Sequence, residues 1–386
     1  MKNAFIAISL LLNLHHVGAQ ESVVFKSGED GHKTYRIPAI ISLQDGTLLA
    51  FSEGRVNDGE DFGDIDLVMK KSVDHGKSWS ALETVVDQNQ LQAGNPAPVL
   101  DLLDPYHPSG VVYLFYNTGN NHEGEVRKGN GVREVWYIRS FDGGTTWETP
   151  VNITLQIHKP LQPNFNSSYN FKEDWRTYAN TPGHAFQFLS GKYKGRIFIP
   201  ANHSQGSPQS HFHEYQAHGF YTDNHGESFK LGASISIPGS NEATATELSN
   251  SKMIMSIRNQ AGDIKRRIIG VSSDGGEHWD TAYYDQQLID PNCEGSLLTI
   301  GFAKGKAIIA HCNAASEERR DNLTVKISYN EGKTWEKSFL ISASNNQEQS
   351  DWSAYSDLVL INKKTIGILF ERNDYTEIVF KTQHIE

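Results

Sequence analysis

Ser72-Val73-Asp74-His75-Gly76-Lys77-Ser78-Trp79 fits the pattern S-x-D-x-G-x-x-W. The pattern returns at Ser140-Phe141-Asp142-Gly143-Gly144-Thr145-Thr146-Trp147 and at Ser272-Ser273-Asp274-Gly275-Gly276-Glu277-His278-Trp279. Two looser copies carry Asn for Asp: residues 328–335 with Asn330, and residues 222–229 with Asn224. Internal repetition is read before any other signal, because each copy marks one structural unit. A strand-like run precedes the copies at 66–71, 135–139, 268–271 and 323–327. Ser and Asp side chains bond nearby backbone N–H groups and stabilise a tight turn. Gly supplies a positive φ, and the Trp starts the return strand. Asp74, Asp142 and Asp274 are therefore expected to be structural.

The spacing predicts the architecture. The copies start at 72, 140, 222, 272 and 328, so four steps span 256 residues, 64 each. Without a 19-residue leader, 367 residues (386 − 19) remain, or 5.7 periods. Six repeats of a four-stranded blade fit that length, within the usual range of propellers. Further runs at 111–116, 196–200, 252–257, 306–310, 365–370 and 377–381 are β-branched or aromatic and separated by Gly- or Asn-rich turns. The expected fold is all-β, a six-bladed β-propeller. The 386 residues, which as a length prior suggest two or three domains, then form a single domain over 20–386.

Residues 1–19 read as an address. Met1-Lys2-Asn3 is the positive end, residues 4–14 are apolar apart from Ser9 and Asn13, and Val17-Gly18-Ala19 offers small residues for a cut after Ala19. The expected mature chain is exported, to a periplasm or the exterior. Export permits a disulfide between Cys293 and Cys312. A hairpin turning at Ala303-Lys304-Gly305 would put the two out of register, which favours buried thiols over a bridge.

Composition removes several functions. Lys plus Arg number 35 against 46 Asp plus Glu, a formal charge of −11 that argues against nucleic acid or an anionic membrane surface as partner. No apolar run of spanning length follows the leader, so no membrane span is expected. Two cysteines exclude a disulfide scaffold and a Cys-rich metal module. His211, His213 and His218 cluster locally but lack a zinc spacing. Sequons stand at Asn152, Asn166, Asn202 and Asn322.

Residues able to do chemistry lie outside the repeats. Tyr35-Arg36-Ile37-Pro38 opens the body, and Phe51-Ser52-Glu53-Gly54-Arg55 is followed by the acids Asp58, Glu60, Asp61 and Asp64. Glu242 precedes an apolar run ending in Arg258-Asn259, and Arg320 precedes the strand 323–327. Tyr355 lies in Ser353-Ala354-Tyr355-Ser356-Asp357-Leu358, and Glu371-Arg372 ends the strand 365–370.

In this order, Y-R-I-P, the repeated Asp-boxes, E-G-R, the N-E before a strand ending in R-N, and A-Y-S-D-L followed by L-F-E resemble the exo-α-sialidases (neuraminidases) of bacterial and animal type, glycoside hydrolase family 33-like. The resemblance runs from Tyr35 to Glu371. It implies a carboxylate-binding triad of Arg36, Arg258 and Arg320, with Arg319 as the fallback for the last. It implies Tyr355 as nucleophile with Glu242 as its base. A phenol suits the task, because a carboxylate nucleophile would be repelled by the carboxylate on the substrate's reacting carbon, and sialidases are the tyrosine exception among glycosidases. Asp61 is the implied acid/base, with Asp58, Glu60 and Asp64 as rivals. Glu371 is expected to hold Arg36, Arg55 to line the pocket and Asn95 to join it. Thr181-Pro182-Gly183-His184 resembles a family turn, with Thr for its first Gly; His184 and Gln187 then either border the acyl pocket or are plain turn structure. The implied partners are sialylated glycoconjugates, with no organic cofactor and no obligatory metal. A trans-sialidase and a non-catalytic glycan-binding propeller are the alternatives.

Overall fold

The computed structural model describes residues 20–344 and 351–386, so the expected leader and its cut after Ala19 lie outside the described residues. Among the described residues antiparallel strands dominate, and the two α-helices, Glu123–Arg127 and Thr154–Ile157, are single turns. The repeats are the reason. Each places a short-range turn between two strands that are already β-favouring, so neighbouring strands pair as hairpins.

The strands form a β-propeller arrangement. Ser240–Glu247, Met253–Asn259, Arg266–Ser272 and Thr281–Ile289 make one four-stranded sheet in chain order. Gly295–Ala303, Lys306–Ala314, Leu323–Ser328 and Lys337–Ser342 make the next. The hairpin turn falls at Lys304-Gly305, as the sequence suggests; both residues have positive φ. The last sheet is Ser353–Asn362, Thr365–Arg372 and Glu377–His384, completed on its outer edge by the N-terminal strand Glu21–Lys26. That pairing ties the first and last described strands together and closes the ring.

The remaining sheets are less regular. Ile197–Gln205 is flanked by Tyr215–Thr222 on one side and by both Trp175–Asn180 and Phe186–Gln187 on the other. The first two repeats appear as one eight-stranded sheet. Its halves are two antiparallel sets joined by one parallel bridge, Ile65↔Gln92. The core is likewise divided into apolar seams between consecutive sheets. Leu49, Phe51 and Met69 meet Leu114 and Ile138 across the first seam. Phe198 and Ala217 meet Ala245 and Met255 across another, and Leu358 and Phe370 meet Val325 and Ile327 across a third.

The repeated motif is a side-chain-locked turn. The Ser72 hydroxyl donates to Asp74 Oδ1 at 2.8 Å and accepts the Gly76 N–H at 2.8 Å. Asp74 Oδ1 also accepts the N–H groups of Lys77 and Ser78, and Oδ2 accepts the Ser78 hydroxyl. Asp142 and Asp274 repeat the arrangement, and the amides of Asn224 and Asn330 reproduce it. Gly76 is fixed twice over, since it has φ +84° and an added Cβ would sit 2.1 Å from the Phe380 ring. Trp79 covers that turn, its ring against Phe380 and its Nε1–H donating to Ser22.

Cys293 and Cys312 are both buried and free, which settles the open pairing in favour of thiols. Cys312 faces Ser296 in the ladder while Cys293 lies before the strand begins, so the register separates them. Burial pushes both thiols up to about 12.

Candidate active site

Four first strands of the sheets break register at the same end, and each break aims one side chain into a common cleft. Thr34–Ser42 shifts between Arg36 and Ala39, with Ile37 held at φ +59°. Gln92–Asp101 shifts between Gly94 and Ala97, with Asn95 at φ +55°. Ser240–Glu247 shifts between Ser240 and Ala243 around Glu242. Ser353–Asn362 shifts between Ser353 and Ser356 around Tyr355. Bulges free backbone groups from the ladder and redirect side chains. A β-branched residue at positive φ is an outlier that persists only where its surroundings impose it. Here Glu371 does so: its Oε1 accepts the Ile37 N–H at 2.9 Å, and its Oε2 accepts the Tyr355 N–H at 3.2 Å.

The cleft has a volume of about 430 Å³, and its walls include Arg36, Arg55, Asp61, Asn95, Glu242, Arg258, Arg320 and Tyr355. The three expected arginines, Arg55, Asp61, Asn95, Glu242 and Tyr355 thus line one space, and Glu371 stands directly behind it. Glu371 is 1% exposed and accepts Arg36 Nε at 2.7 Å. Arg320, not Arg319, enters the cleft, because Arg319 pairs with Asp321 outside it.

At the centre, the Tyr355 hydroxyl donates to Glu242 Oε1 at 2.6 Å. Arg258 Nη1 donates to the same hydroxyl oxygen at 2.7 Å and to Glu242 Oε2 at 2.5 Å. Asn292 anchors Arg258 through Nε at 2.7 Å. Burial holds the Tyr355 phenol well above its ordinary range; Arg258 works against this and Glu242 adds to it. The resting nucleophile candidate is therefore neutral, with a base and a stabilising cation already on its oxygen. Arg36 and Arg320 both stand over the Tyr355 ring, at 5.7 and 5.4 Å.

Asp61 sits at the mouth, 79% exposed, with Oδ1 2.8 Å from Arg55 Nη1. Desolvation by the walls raises its carboxyl, but Arg55, with Arg36 and Arg320 behind it, leaves it below the usual range. Of its rivals, Asp58 caps the Glu60 N–H, and none of Asp58, Glu60 and Asp64 lines the cleft. Arg55 is buried and fixed by Glu53 through Nε and Nη2. Glu53 also accepts the Asn95 N–H at 2.9 Å, so one carboxylate sets both neighbours.

One expectation is corrected. His184 and Gln187 do not border this cleft; they line a separate apolar cavity at the other end of the first strands, with Ile41, Leu100, Leu298 and Leu360. The cause is Asp357, whose carboxylate accepts both the N–H and Nδ1 of His184 and pins the turn away from the arginines. Asp74, Asp142 and Asp274 stay in the turns, outside the cleft. The three histidines do not assemble: His218 is buried against His203 and Tyr178, whereas His211 lies on the surface. Among the described residues, Asp101, Asp104 and His225 bring ligand atoms within 4.8 Å of one another. They line no part of the cleft, and His225 Nδ1 already bonds Asp101 at 2.6 Å. Asn202 is 2% exposed in the cleft wall, so that sequon cannot carry a glycan in the fold.

Sequence reasoning missed Glu53, Asn292 and Tyr375 as supports, and Glu123, Arg127, Tyr178, Phe212 and Tyr215 as wall. The helix Glu123–Arg127 hangs beside the Asp61 loop, with Phe62 and His122 rings 5.0 Å apart. An insertion of one helical turn leaves no repeat or motif to find it by.

A family profile described as BNR repeat-like domain matches residues 46–368. A sialidase of Micromonospora viridifaciens is 25% identical over 89% of the chain and 51% of its own length. Sialidase-2 of Cricetulus griseus is 25% identical, covering 94% of both chains. The chain thus spans about half the length of the Micromonospora relative and nearly all of the Cricetulus one. Among solved structures, Hadza microbial sialidase Hz136 aligns with a TM-score of 0.75 and 21% identity, over 94% of this chain and 68% of that one. A leech intramolecular trans-sialidase aligns with a TM-score of 0.72 and 15% identity, over 95% and 70%.

Proposed function

The chain belongs to the BNR repeat-like domain family, and from that membership we propose that it is an exo-α-sialidase, a retaining hydrolase of terminal α-linked sialic acid on glycoconjugates. One observation carries the reading: a neutral tyrosine bonded to a carboxylate stands under three converging arginines in one cleft. That arrangement suits a substrate whose reacting carbon bears a carboxylate, since guanidinium forks hold a planar anion by charge-assisted hydrogen bonds. The sialidase names of relatives from bacteria, fungi and mammals support it.

The reaction runs in two balanced displacements. In the first, Tyr355 Oη attacks the anomeric carbon and its proton passes to Glu242. The glycosidic C–O bond breaks, and the leaving oxygen takes a proton from Asp61, which Arg55, Arg36 and Arg320 keep ionised until the substrate's carboxylate offsets their charge and lets Asp61 take that proton up from solvent. Arg258, on the tyrosine oxygen, stabilises the charge that develops there. In the second, Asp61 takes a proton from water, whose oxygen attacks the same carbon. The Tyr355 C–O bond breaks, and the phenol recovers its proton from Glu242. Two inversions give net retention.

We also read the ring as six-bladed. The single bridge between the halves of the eight-stranded sheet supports counting them as two blades, as do apolar seams between each pair of neighbours. The leader pattern of residues 1–19 supports export. The deciding experiment is incubation with a fluorogenic aryl α-sialoside and with a sialylated glycoprotein, followed by NMR of the product. Release of α-sialic acid before mutarotation supports the reading. No turnover at pH 5–7 overturns it, and an anhydro or transferred product replaces hydrolysis with transfer.

A further inference from the structure

Tyr375 belongs to no motif, yet it touches two of the three arginines. It stands in the turn between Thr365–Arg372 and Glu377–His384, where Asn373, Asp374 and Tyr375 have φ of 56°, 49° and 62°. Three successive non-glycine residues in the left-handed region are strained, and such strain persists where the surroundings over-determine it. The segment Asp351-Trp352 does so here. The Asn373 N–H donates to the Trp352 carbonyl at 2.9 Å and the Asp374 N–H to the Asp351 carbonyl at 2.8 Å. The Asp351 N–H returns a bond to Asp374 Oδ1 at 3.0 Å.

The clamp sets the phenol against two arginines of the cleft wall. The Arg36 guanidinium lies 3.9 Å from the centre of the Tyr375 ring. Arg320 Nη1 donates to Tyr375 Oη at 3.1 Å, and the Tyr375 hydroxyl in turn donates to Asp351. We propose that Tyr375 is a positioning residue for carboxylate recognition, its ring face fixing Arg36 and its oxygen fixing Arg320 so that both guanidiniums converge before substrate arrives. This rests on the sialidase reading of the cleft.

The chemistry favours a phenol in that place. Two guanidiniums held close repel, and the negative face of an aromatic ring offsets one of them. A carboxylate bonded to Arg320 would neutralise it and compete with the substrate's own carboxylate. A phenol accepts from Arg320 without carrying charge, because its proton is committed to Asp351. Among the described residues Arg320 has no carboxylate partner, so its charge remains available to a ligand. Burial keeps the Tyr375 hydroxyl protonated, with Arg320 and Arg36 acting in the opposite sense.

The test compares wild type, Tyr375→Phe and Tyr375→Ala. Each is titrated by calorimetry with 2,3-unsaturated sialic acid and assayed on an aryl sialoside. Tyr375→Phe keeps the ring on Arg36 and loses the bond to Arg320. Its Kd for the analogue and its KM should rise roughly tenfold with kcat within about twofold, as for loss of one hydrogen bond to a charged group. Tyr375→Ala should lose roughly a hundredfold. A merely structural role would lower the unfolding midpoint and the active fraction while leaving Kd and KM unchanged. Unchanged Kd and KM in Tyr375→Phe overturn the proposal, whether or not the Ala variant folds. A wild type that neither binds the analogue nor cleaves the sialoside overturns the sialidase reading, and the proposal with it.

Discussion

Tyr355 and Glu242 are 113 residues apart in sequence and meet at 2.6 Å, hydroxyl to carboxylate. Neither could be placed there by an unbroken ladder. Each sits inside a register shift of its own strand, and the Tyr355 bulge is held by two buried carboxyl groups: Glu371 accepts the N–H of Tyr355, and Glu294 that of Ser356. The pair reads as nucleophile and base because the Tyr355 phenol is neutral and already bonded to a proton acceptor and to a cation.

Tyr355→Phe removes the attacking oxygen and leaves the ring under Arg36 and Arg320. The expected result is loss of roughly a thousandfold or more in kcat on an aryl sialoside, by analogy with the removal of other enzymatic nucleophiles. Affinity for the unsaturated analogue should stay within about threefold. A near-wild-type rate would remove Tyr355 from its role.

The arginines should separate by what each leaves behind. Among the described residues Arg320→Ala orphans no carboxylate, since Arg320 Nη1 bonds the Tyr375 hydroxyl. Its stability should stay within about 1 kcal/mol of wild type while KM rises tenfold to a hundredfold. Arg36→Ala strands Glu371, which is 1% exposed. Removing one partner of a buried pair costs about 3 kcal/mol or more. Urea unfolding together with analogue binding distinguishes the two: Arg320→Ala binds poorly but is stable, and Arg36→Ala is deficient in both.

Much of this was legible in the sequence, for a physical reason. The S-x-D-x-G-x-x-W turn is local, its bonds span four residues, and so the repeat announces itself. Arg36, Glu242 and Tyr355 were reachable through motif resemblance because the bulges that aim them are themselves encoded in short stretches. Long-range supports were not. Glu53 serves Arg55 two residues away but also Asn95 forty-two residues on, and nothing near Glu53 signals the second bond. Tyr375 depends on a turn clamped by Asp351, and His184 was misplaced because its partner Asp357 lies 173 residues away.

Asp61 is tested by leaving group. A general acid matters in proportion to the basicity of the oxygen it protonates. Asp61→Ala should cut hydrolysis of a sialyl-sugar linkage by roughly a hundredfold to ten-thousandfold. Hydrolysis of an aryl sialoside with an acidic phenol should fall far less. The ratio of kcat/KM for the two substrates is the measurement, and equal losses on both would assign the proton transfer elsewhere. Asp58→Ala, outside the cleft, should leave the ratio at its wild-type value.

The turns give a prediction in stability and none in catalysis. Asp142 is held at about 2 by the backbone and side-chain hydrogen bonds of Thr146, together with Ser140 and Thr145. A carboxyl depressed in the fold stabilises it above the unfolded pKa of about 4, and that contribution is lost as pH falls toward 2. Asn is tolerated in the same geometry, since Asn330 Oδ1 accepts the Thr334 N–H at 2.9 Å and its Nδ2–H donates to the Thr334 hydroxyl at 2.7 Å. Asp142→Asn should therefore keep a near-wild-type unfolding midpoint at pH 7 and show a shallower loss of stability between pH 4 and pH 2. Asp142→Ala loses the turn bonds at every pH and should be about 1 kcal/mol less stable at pH 7. Both should keep wild-type kcat and KM, because the turn lies outside the cleft. Chemical denaturation at pH 7, 4, 3 and 2 measures the slopes. An Asn variant whose stability falls as steeply with acid as wild type would show that the Asp142 carboxylate adds nothing beyond its shape.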